Sequence, residues 1–152
     1  MHYTTVTVVR SRVRRAFTLV EILIVVVILG ILASVVVPQF ASATQDAQQK
    51  ATFDQLLKLR KALDVYYVRN FNRYPTVTEG DGTWGEIAVA GTTYLREKPL
   101  NQWIGGPNAG RIVFGTGPAT SFSTEYGWIY DPSTGNVWAS SYDLSDHPIS
   151  RP

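Results

Sequence analysis

An apolar run over residues 17–37 begins directly after a cluster of arginines and contains a single carboxylate, Glu21. About 20 apolar residues are enough for a helix to cross a bilayer, and this run has that length. A charge inside such a run is costly, so it needs a partner, a route to the lipid headgroups or a function. We therefore expect a membrane-spanning helix in which Glu21 has a specific task.

Positive charge is concentrated before the apolar run. Arg10, Arg12, Arg14 and Arg15 precede it, and the sequence has no acidic residue among residues 1–16. The whole chain has a net charge of +2, so the rest of the chain without these four arginines has a net charge of −2. The positive-inside bias predicts that residues 1–16 stay in the cytoplasm and that the C-terminal part crosses the membrane. Nucleic acid is not an expected partner of such a chain.

A cleaved secretory signal is an alternative interpretation of this segment. A typical signal has an apolar region of about 7 to 15 residues, followed by a cleavage site with small residues. The run here is longer and leads into a helical pattern, although Ala33 and Ser34 offer small residues.

The segment after the apolar run predicts an amphipathic helix. Its apolar residues recur close to the 3.6-residue helical period. They are Phe53, Leu56, Leu59, Leu63, Tyr66 and Val68 or Asn70, with Leu57 and Tyr67 beside them. Pro38 is expected to kink the helix, and Tyr74 followed by Pro75 is expected to end it.

The C-terminal half is rich in turn signals that separate short strand-like runs. These runs cover residues 111–114, 125–130 and 136–140, and the last two flank a turn typical of an antiparallel hairpin. We therefore expect an α+β fold, in which one long N-terminal helix packs on a small antiparallel β-sheet. The predicted divisions are 1–16, the transmembrane helix half 17–38, the amphipathic half 39–73 and a β-rich globular head 74–152.

Residues 14–21 read Arg-Arg-Ala-Phe-Thr-Leu-Val-Glu, with Gly30 and Pro38 downstream. This pattern resembles the N-terminal signature of the type IV pilin and type II secretion pseudopilin superfamily. Further segments resemble the major pseudopilins of type II secretion, and they cover residues 62–66, 72–76, 94–95 and 99–105. The resemblance implies the pilin fold.

The resemblance also implies processing of the N-terminus. Residues 1–16 would be a prepilin leader, which a membrane-embedded prepilin peptidase removes by cleaving between Ala16 and Phe17. The new amine of Phe17 would then be methylated. The family usually has glycine where this chain has Ala16, which also leaves little bulk beside the cleaved bond. The stretch from Gly30 to Pro38 would form a helix kink that loosens in the filament, or it is ordinary packing and the end of the span.

Phe17 and Glu21 are the candidate assembly residues. Pairing Glu21 with the Phe17 amine of a neighbouring molecule would neutralise two charges that are costly to bury alone. Such a contact joins two different patches, so it is heterologous and can propagate as an open helical filament. The alternative is that Glu21 lies near the cytoplasmic face and reaches the headgroup layer.

The chain is therefore expected to be a structural filament subunit and not an enzyme. The chain most resembles a subunit of the type II secretion pseudopilus. We expect such a subunit to lie in the inner membrane, with a single span and its head in the periplasm. The expected partners are other copies of the chain, minor pseudopilins, the prepilin peptidase, and the assembly platform with its ATPase. An alternative is a minor pilin that binds DNA, a surface or cargo through a patch around Trp84, Trp103 and Arg111. A third is a signal-anchored domain that does not assemble.

The sequence offers little for catalysis or cofactor binding. His2 and His147 lie at opposite ends of the chain, and the glycine-rich stretches lack the Lys-Ser/Thr of a phosphate-binding loop. Asp131, Asp143 and Asp146 are spaced too widely for a calcium loop, and no Asp-x-Asp-Gly pattern is present. No cofactor is expected, and calcium is kept only as an alternative.

Overall fold

A computed structural model describes residues 17–88 and 94–152. The elements, in chain order, are α1 (Leu19–Arg69), a short 3-10 helix (Gly85–Ala88), and strands β1 (Ile112–Phe114), β2 (Trp128–Tyr130) and β3 (Val137–Ala139). Contacts divide the chain into two compact units, one that ends at Phe40 and one that spans Ala41–Pro152. We call them the N-terminal unit and the head. The predicted α+β class is confirmed, whereas the predicted boundaries after residues 38 and 73 stay predictions.

The predicted long helix is confirmed as a single element with Pro38 inside it. Its first part is a run of Leu, Ile and Val, whose backbone polar groups can be satisfied within a helix even where no water is present. Its second part combines good helix formers with apolar residues on one face.

The helix ends earlier than the sequence predicts. It stops at Arg69, before Tyr74 and Pro75, because Phe71 and Asn72 adopt left-handed backbone conformations with φ of 54° and 60°. The Asn72 amide donates to the Tyr67 carbonyl at 3.0 Å, and this bond satisfies a carbonyl of the last helical turn. The left-handed turn, and not the proline, ends α1.

The three predicted strands are confirmed, but the sheet is mixed. β2 and β3 form the predicted antiparallel hairpin, with Trp128 opposite Ala139 and Tyr130 opposite Val137. β1 pairs with β2 in parallel, with Ile112 opposite Trp128. Residues 115–127 form the crossover that returns the chain to the same direction, and parallel pairs need a connection of about this length.

The core of the head lies between one face of α1 and the sheet. Leu56, Leu59 and Leu63 are at most 2% exposed, and they belong to one buried cluster. Its other large members are Trp84, Ile87, Leu95, Trp103, Ile112, Trp128, Tyr130, Val137 and Tyr142. The predicted apolar stripe was wrong at Phe53 and Leu57, which are 39% and 46% exposed and lie off the buried face of α1. Of the two alternatives for its last position, Val68 is 76% exposed and Asn70 is half-buried.

Candidate functional site

Thr18 and Glu21 form a capping box at the start of α1. One oxygen of the Glu21 carboxylate accepts the Thr18 backbone N–H at 2.7 Å and the Thr18 hydroxyl at 2.9 Å. The Thr18 hydroxyl oxygen in turn accepts the Glu21 backbone N–H at 3.2 Å. Both side chains thus satisfy N–H groups that have no partner within the helix. Thr18 was missed at the sequence level, although Thr-x-x-Glu before an apolar run is the signal for this motif.

The large apolar side chains of the N-terminal unit lie at its surface. The large ones between Leu19 and Phe40 are all exposed, from 42% at Val36 to 82% at Leu19. In the described residues, α1 is the one helix that is long and apolar enough to cross a membrane. Glu21 is the one acidic residue on this surface, because the next along the chain is Asp46.

Phe17, Gly30 and Pro38 are the other predicted site residues that the structure describes. Phe17 is 80% exposed and directly precedes the capping box. A Cβ built on Gly30 would meet no atom within 4 Å, so the chain's own packing does not require glycine there. Pro38 lies inside α1, and its kink stays a prediction. Ala16 lies outside the described residues.

In the head, Asn101 is a fully buried hydrogen-bonding centre. Its amide donates to the carbonyls of Gly127 at 3.0 Å and Ser140 at 2.9 Å. Its side-chain oxygen accepts the Thr52 hydroxyl at 3.2 Å and the Trp103 backbone N–H at 3.0 Å. Thr52 belongs to α1, Gly127 directly precedes β2, and Ser140 directly follows β3. Asn101 therefore links α1 to the sheet and has a structural role.

The three aspartates considered for calcium have partners within the chain. Asp131 accepts the Ser133 hydroxyl at 2.6 Å and the Thr134 hydroxyl at 2.8 Å, and these bonds hold the pKa of its carboxyl below the usual range. Asp143 accepts nearby backbone N–H groups, and Asp146 pairs with Arg60 of α1 at 2.5 Å. In residues 17–88 and 94–152, no three His, Cys, Asp or Glu side chains are grouped for a metal. Calcium binding stays untested.

The aromatic patch that would favour a binding module is not formed. Trp84 is 0% and Trp103 is 3% exposed, so both belong to the core. Arg111 is exposed and donates to the carbonyl of Glu125 at 3.4 Å. The structure therefore does not bring these three residues together into a binding surface.

The family model for the prokaryotic N-terminal methylation motif matches residues 11–37. These residues include Phe17, Thr18 and Glu21. The resemblance to the type IV pilin and pseudopilin superfamily is confirmed.

Similarity to pseudopilins extends into the head. The chain is 44% identical to the type II secretion system core protein G of Aeromonas hydrophila over 71 residues, which cover 47% of this chain and 49% of that protein. It is 35% identical to the core protein G of Dickeya chrysanthemi over 104 residues, 61% of this chain and 65% of that one. The match to the Klebsiella pneumoniae protein has 45% identity over 67 residues, 44% of this chain and 47% of that one. The chain thus matches less than two thirds of the length of each of these relatives. No solved structure matches it.

Proposed function

We propose that this chain is a structural subunit of a type II secretion pseudopilus, assembled through the N-terminal part of α1. The observation that carries the proposal is the apolar surface of the N-terminal unit. Its large side chains are exposed, and it contains one carboxylate. The methylation motif and the similarity to core proteins G support the same function. The buried positions of Trp84 and Trp103 give no support to a tip-binding pilin.

The N-terminal unit has two successive environments in this proposal. Before assembly, lipid of the inner membrane covers the apolar side chains, with the head in the periplasm. In the filament, neighbouring α1 helices cover them instead. An amphipathic or core helix normally buries one face within its own chain. The exposed apolar side chains here therefore need lipid or another protein chain to cover them.

The Glu21 carboxylate sets the register of the assembly. Cleavage between Ala16 and Phe17 places a cationic amine at the start of the helix, which is then methylated. Glu21 of one subunit pairs with that amine on its neighbour, because an isolated carboxylate in lipid is costly. In the unassembled subunit the capping hydrogen bonds from Thr18 partly compensate the carboxylate. Pairing between subunits then adds the opposite charge.

The partners follow from this function. A prepilin peptidase processes the precursor, and the assembly platform with its ATPase moves subunits from the bilayer into the filament. Minor pseudopilins and further copies of the chain complete the filament. The chain itself catalyses no reaction and uses no cofactor in this proposal, so melting of the head in calcium and in EDTA should coincide.

Two measurements test the proposal. The intact mass of the mature protein should show the loss of residues 1–16 and the addition of one methyl group. The variant Glu21→Val should stay in the membrane and form no filaments, whereas the matched variant Leu23→Val should assemble normally. A protein that serves only as a membrane anchor would tolerate both changes, and normal filaments from Glu21→Val would refute the proposal.

A further inference from the structure

Two polar atoms in the core of the head have no hydrogen-bond partner among the residues that the structure describes. They are the indole nitrogen of Trp84 and the hydroxyl oxygen of Tyr130, and both residues are 0% exposed. The large majority of buried polar groups in native proteins bond to protein or to ordered water. A buried group without a partner is costly, because it has given up its bonds to solvent. These two atoms therefore need a partner from outside the chain.

Trp84 and Tyr130 contact each other, so both polar atoms belong to one part of the core. Their ring centroids are 5.6 Å apart, and the rings meet edge to face at 73°. Trp84 directly precedes the 3-10 helix, and Tyr130 is the last residue of β2. The contact thus joins the segment before the 3-10 helix to the sheet, without a hydrogen bond between the two side chains.

The Tyr130 hydroxyl lies in a place that is buried but not purely apolar. Burial raises the pKa of this group to about 12, and nearby Tyr74, Asp131 and Glu86 raise it further. The hydroxyl is therefore protonated at neutral pH and can both donate and accept a hydrogen bond. Buried waters are held where polar groups offer them bonds, whereas apolar cavities stay dry. The surroundings of Tyr130 are of the first kind.

The indole nitrogens of Trp128 and Trp103 show how this core satisfies such a group with its own atoms. Trp128 donates to the Pro99 carbonyl at 3.0 Å, and Trp103 donates to the Ile149 carbonyl at 3.2 Å. In both cases the acceptor is an oxygen from a different segment of the chain. Trp84 is as deeply buried as Trp128, and within residues 17–88 and 94–152 no oxygen accepts its N–H.

We propose that an ordered water molecule in the core of the head binds both groups. The Trp84 indole N–H donates to the water oxygen, and the water in turn bonds to the Tyr130 hydroxyl. A bond through water is nearly as favourable as a direct one. The bridge links the segment before the 3-10 helix to β2, as Asn101 links α1 to the sheet. It belongs to the head and does not depend on filament assembly.

NMR of the unassembled full-length chain in detergent micelles detects the water directly. Labelling tryptophan with nitrogen-15 gives four indole signals, and Trp84→Phe identifies the relevant one. We expect dipolar transfer from water to the Trp84 indole hydrogen in the rotating frame, where transfer by chemical exchange has the opposite sign. The Trp128 indole is the internal control and should show no transfer, because it bonds to a carbonyl.

Two results of this experiment would overturn the proposal. One is equal transfer from water at the Trp84 and Trp128 indoles. The other is no transfer at Trp84, and an upfield shift of its indole hydrogen would then show that the N–H points at the face of the Tyr130 ring instead.

The sign of a stability change is an independent test. Tyr130→Phe removes only the hydroxyl, and if this group bonds to water the melting temperature of the head should fall by about 4 °C. If it had no partner, its removal would relieve a desolvation cost and stability would rise. Tyr142→Phe is the matched control and should lower the melting temperature, because the Tyr142 hydroxyl donates to the Gln49 carbonyl at 3.0 Å. A fall in the control, with a rise or no change in Tyr130→Phe, would contradict the water site.

The two tests are connected because one water serves both groups. In Tyr130→Phe, the transfer from water to the Trp84 indole hydrogen should weaken, since the water has lost a partner. Leu144→Ala changes a side chain that is 79% exposed and should leave the transfer unchanged. Undiminished transfer in Tyr130→Phe would show that no water bridges the pair. None of these measurements involves filaments, so this inference and the proposed function fail separately.

Discussion

The N-terminal unit and the head use the same residue types in opposite ways. Leu29 is 57% exposed in the first, whereas Leu59, from the same helix α1, is 0% exposed in the second. The head buries a core of apolar side chains within its own fold. In the N-terminal unit the large apolar side chains are exposed, and in the proposed function lipid or other subunits cover them. The stability of the head should therefore be independent of the residues that govern assembly.

The largest effect on stability is expected from matched leucine substitutions in the two units. Leu59→Ala should lower the free energy of unfolding of the head by about 3 kcal/mol, because it removes a fully buried side chain and leaves a cavity. Leu29→Ala should leave that free energy unchanged. Tryptophan fluorescence during denaturation is a suitable measurement, since all four tryptophans (Trp84, Trp103, Trp128 and Trp138) lie in the head. Equal effects of the two variants would contradict the comparison.

Asn101→Ala should be the next most destabilising change. It leaves the carbonyls of Gly127 and Ser140 without the Asn101 amide, and we expect a loss of about 2 kcal/mol in the same denaturation assay. Asn136→Ala is the matched control, because Asn136 is exposed. A stability of Asn101→Ala equal to that of the control would show that this buried centre does not hold the head together.

The contact between Arg60 and Asp146 should contribute less. Arg60 also donates to the Val137 carbonyl at 3.1 Å, so it links α1, β3 and the C-terminal loop. The two side chains are 34% and 19% exposed, and solvent therefore weakens the pair. Asp146→Asn should lower the free energy of unfolding by about 1 kcal/mol, and added salt should reduce the difference. Asp54→Asn on the exposed face of α1 is the control, and an equal loss there would refute the assignment.

The smallest expected effect is on the acid stability of the head. Hydrogen bonds from Ser133 and Thr134 lower the pKa of Asp131, and a bond from Thr83 lowers the pKa of Asp81. A carboxyl whose pKa is lower in the folded state binds fewer protons there than in the unfolded chain. Its stabilisation is present at neutral pH and is lost as the pH falls below about 4.

Melting temperatures measured from about pH 6 down to about pH 2 check this prediction. Asp131→Asn should flatten the decline in the melting temperature, and Ser133→Ala should do so in part. Identical pH profiles for Asp131→Asn and the unmodified chain would contradict it.

Local patterns in the sequence were enough to predict much of this molecule. The apolar run, the helical period around Leu56, Leu59 and Leu63, and the turn between β2 and β3 depend on neighbouring residues. They predicted the helix, its buried face and the hairpin. The Thr18–Glu21 capping box is equally local, because Thr-x-x-Glu before an apolar run is enough to indicate it.

Features that depend on residues far apart in the sequence could not be predicted from local patterns. The parallel pairing of β1 with β2 requires a crossover, and no local signal specifies its direction. Asn101 bonds to groups that are 26 and 39 residues away in sequence, so its role emerges only once the chain is folded. The left-handed Phe71 contradicts residue preferences, and the sequence therefore suggested a helix that continued to the proline.

The central claim is that the Glu21 carboxylate, surrounded by apolar side chains, is tolerated because an adjacent subunit brings a compensating amine. The most direct measurement is the distance between the Glu21 carboxylate and the Phe17 nitrogen of a neighbouring subunit in purified filaments at near-atomic resolution. We expect an oxygen–nitrogen separation of about 4 Å or less, the range of an ion pair. A Glu21 side chain that lies on the filament surface, with no nitrogen of another subunit in reach, would contradict the claim.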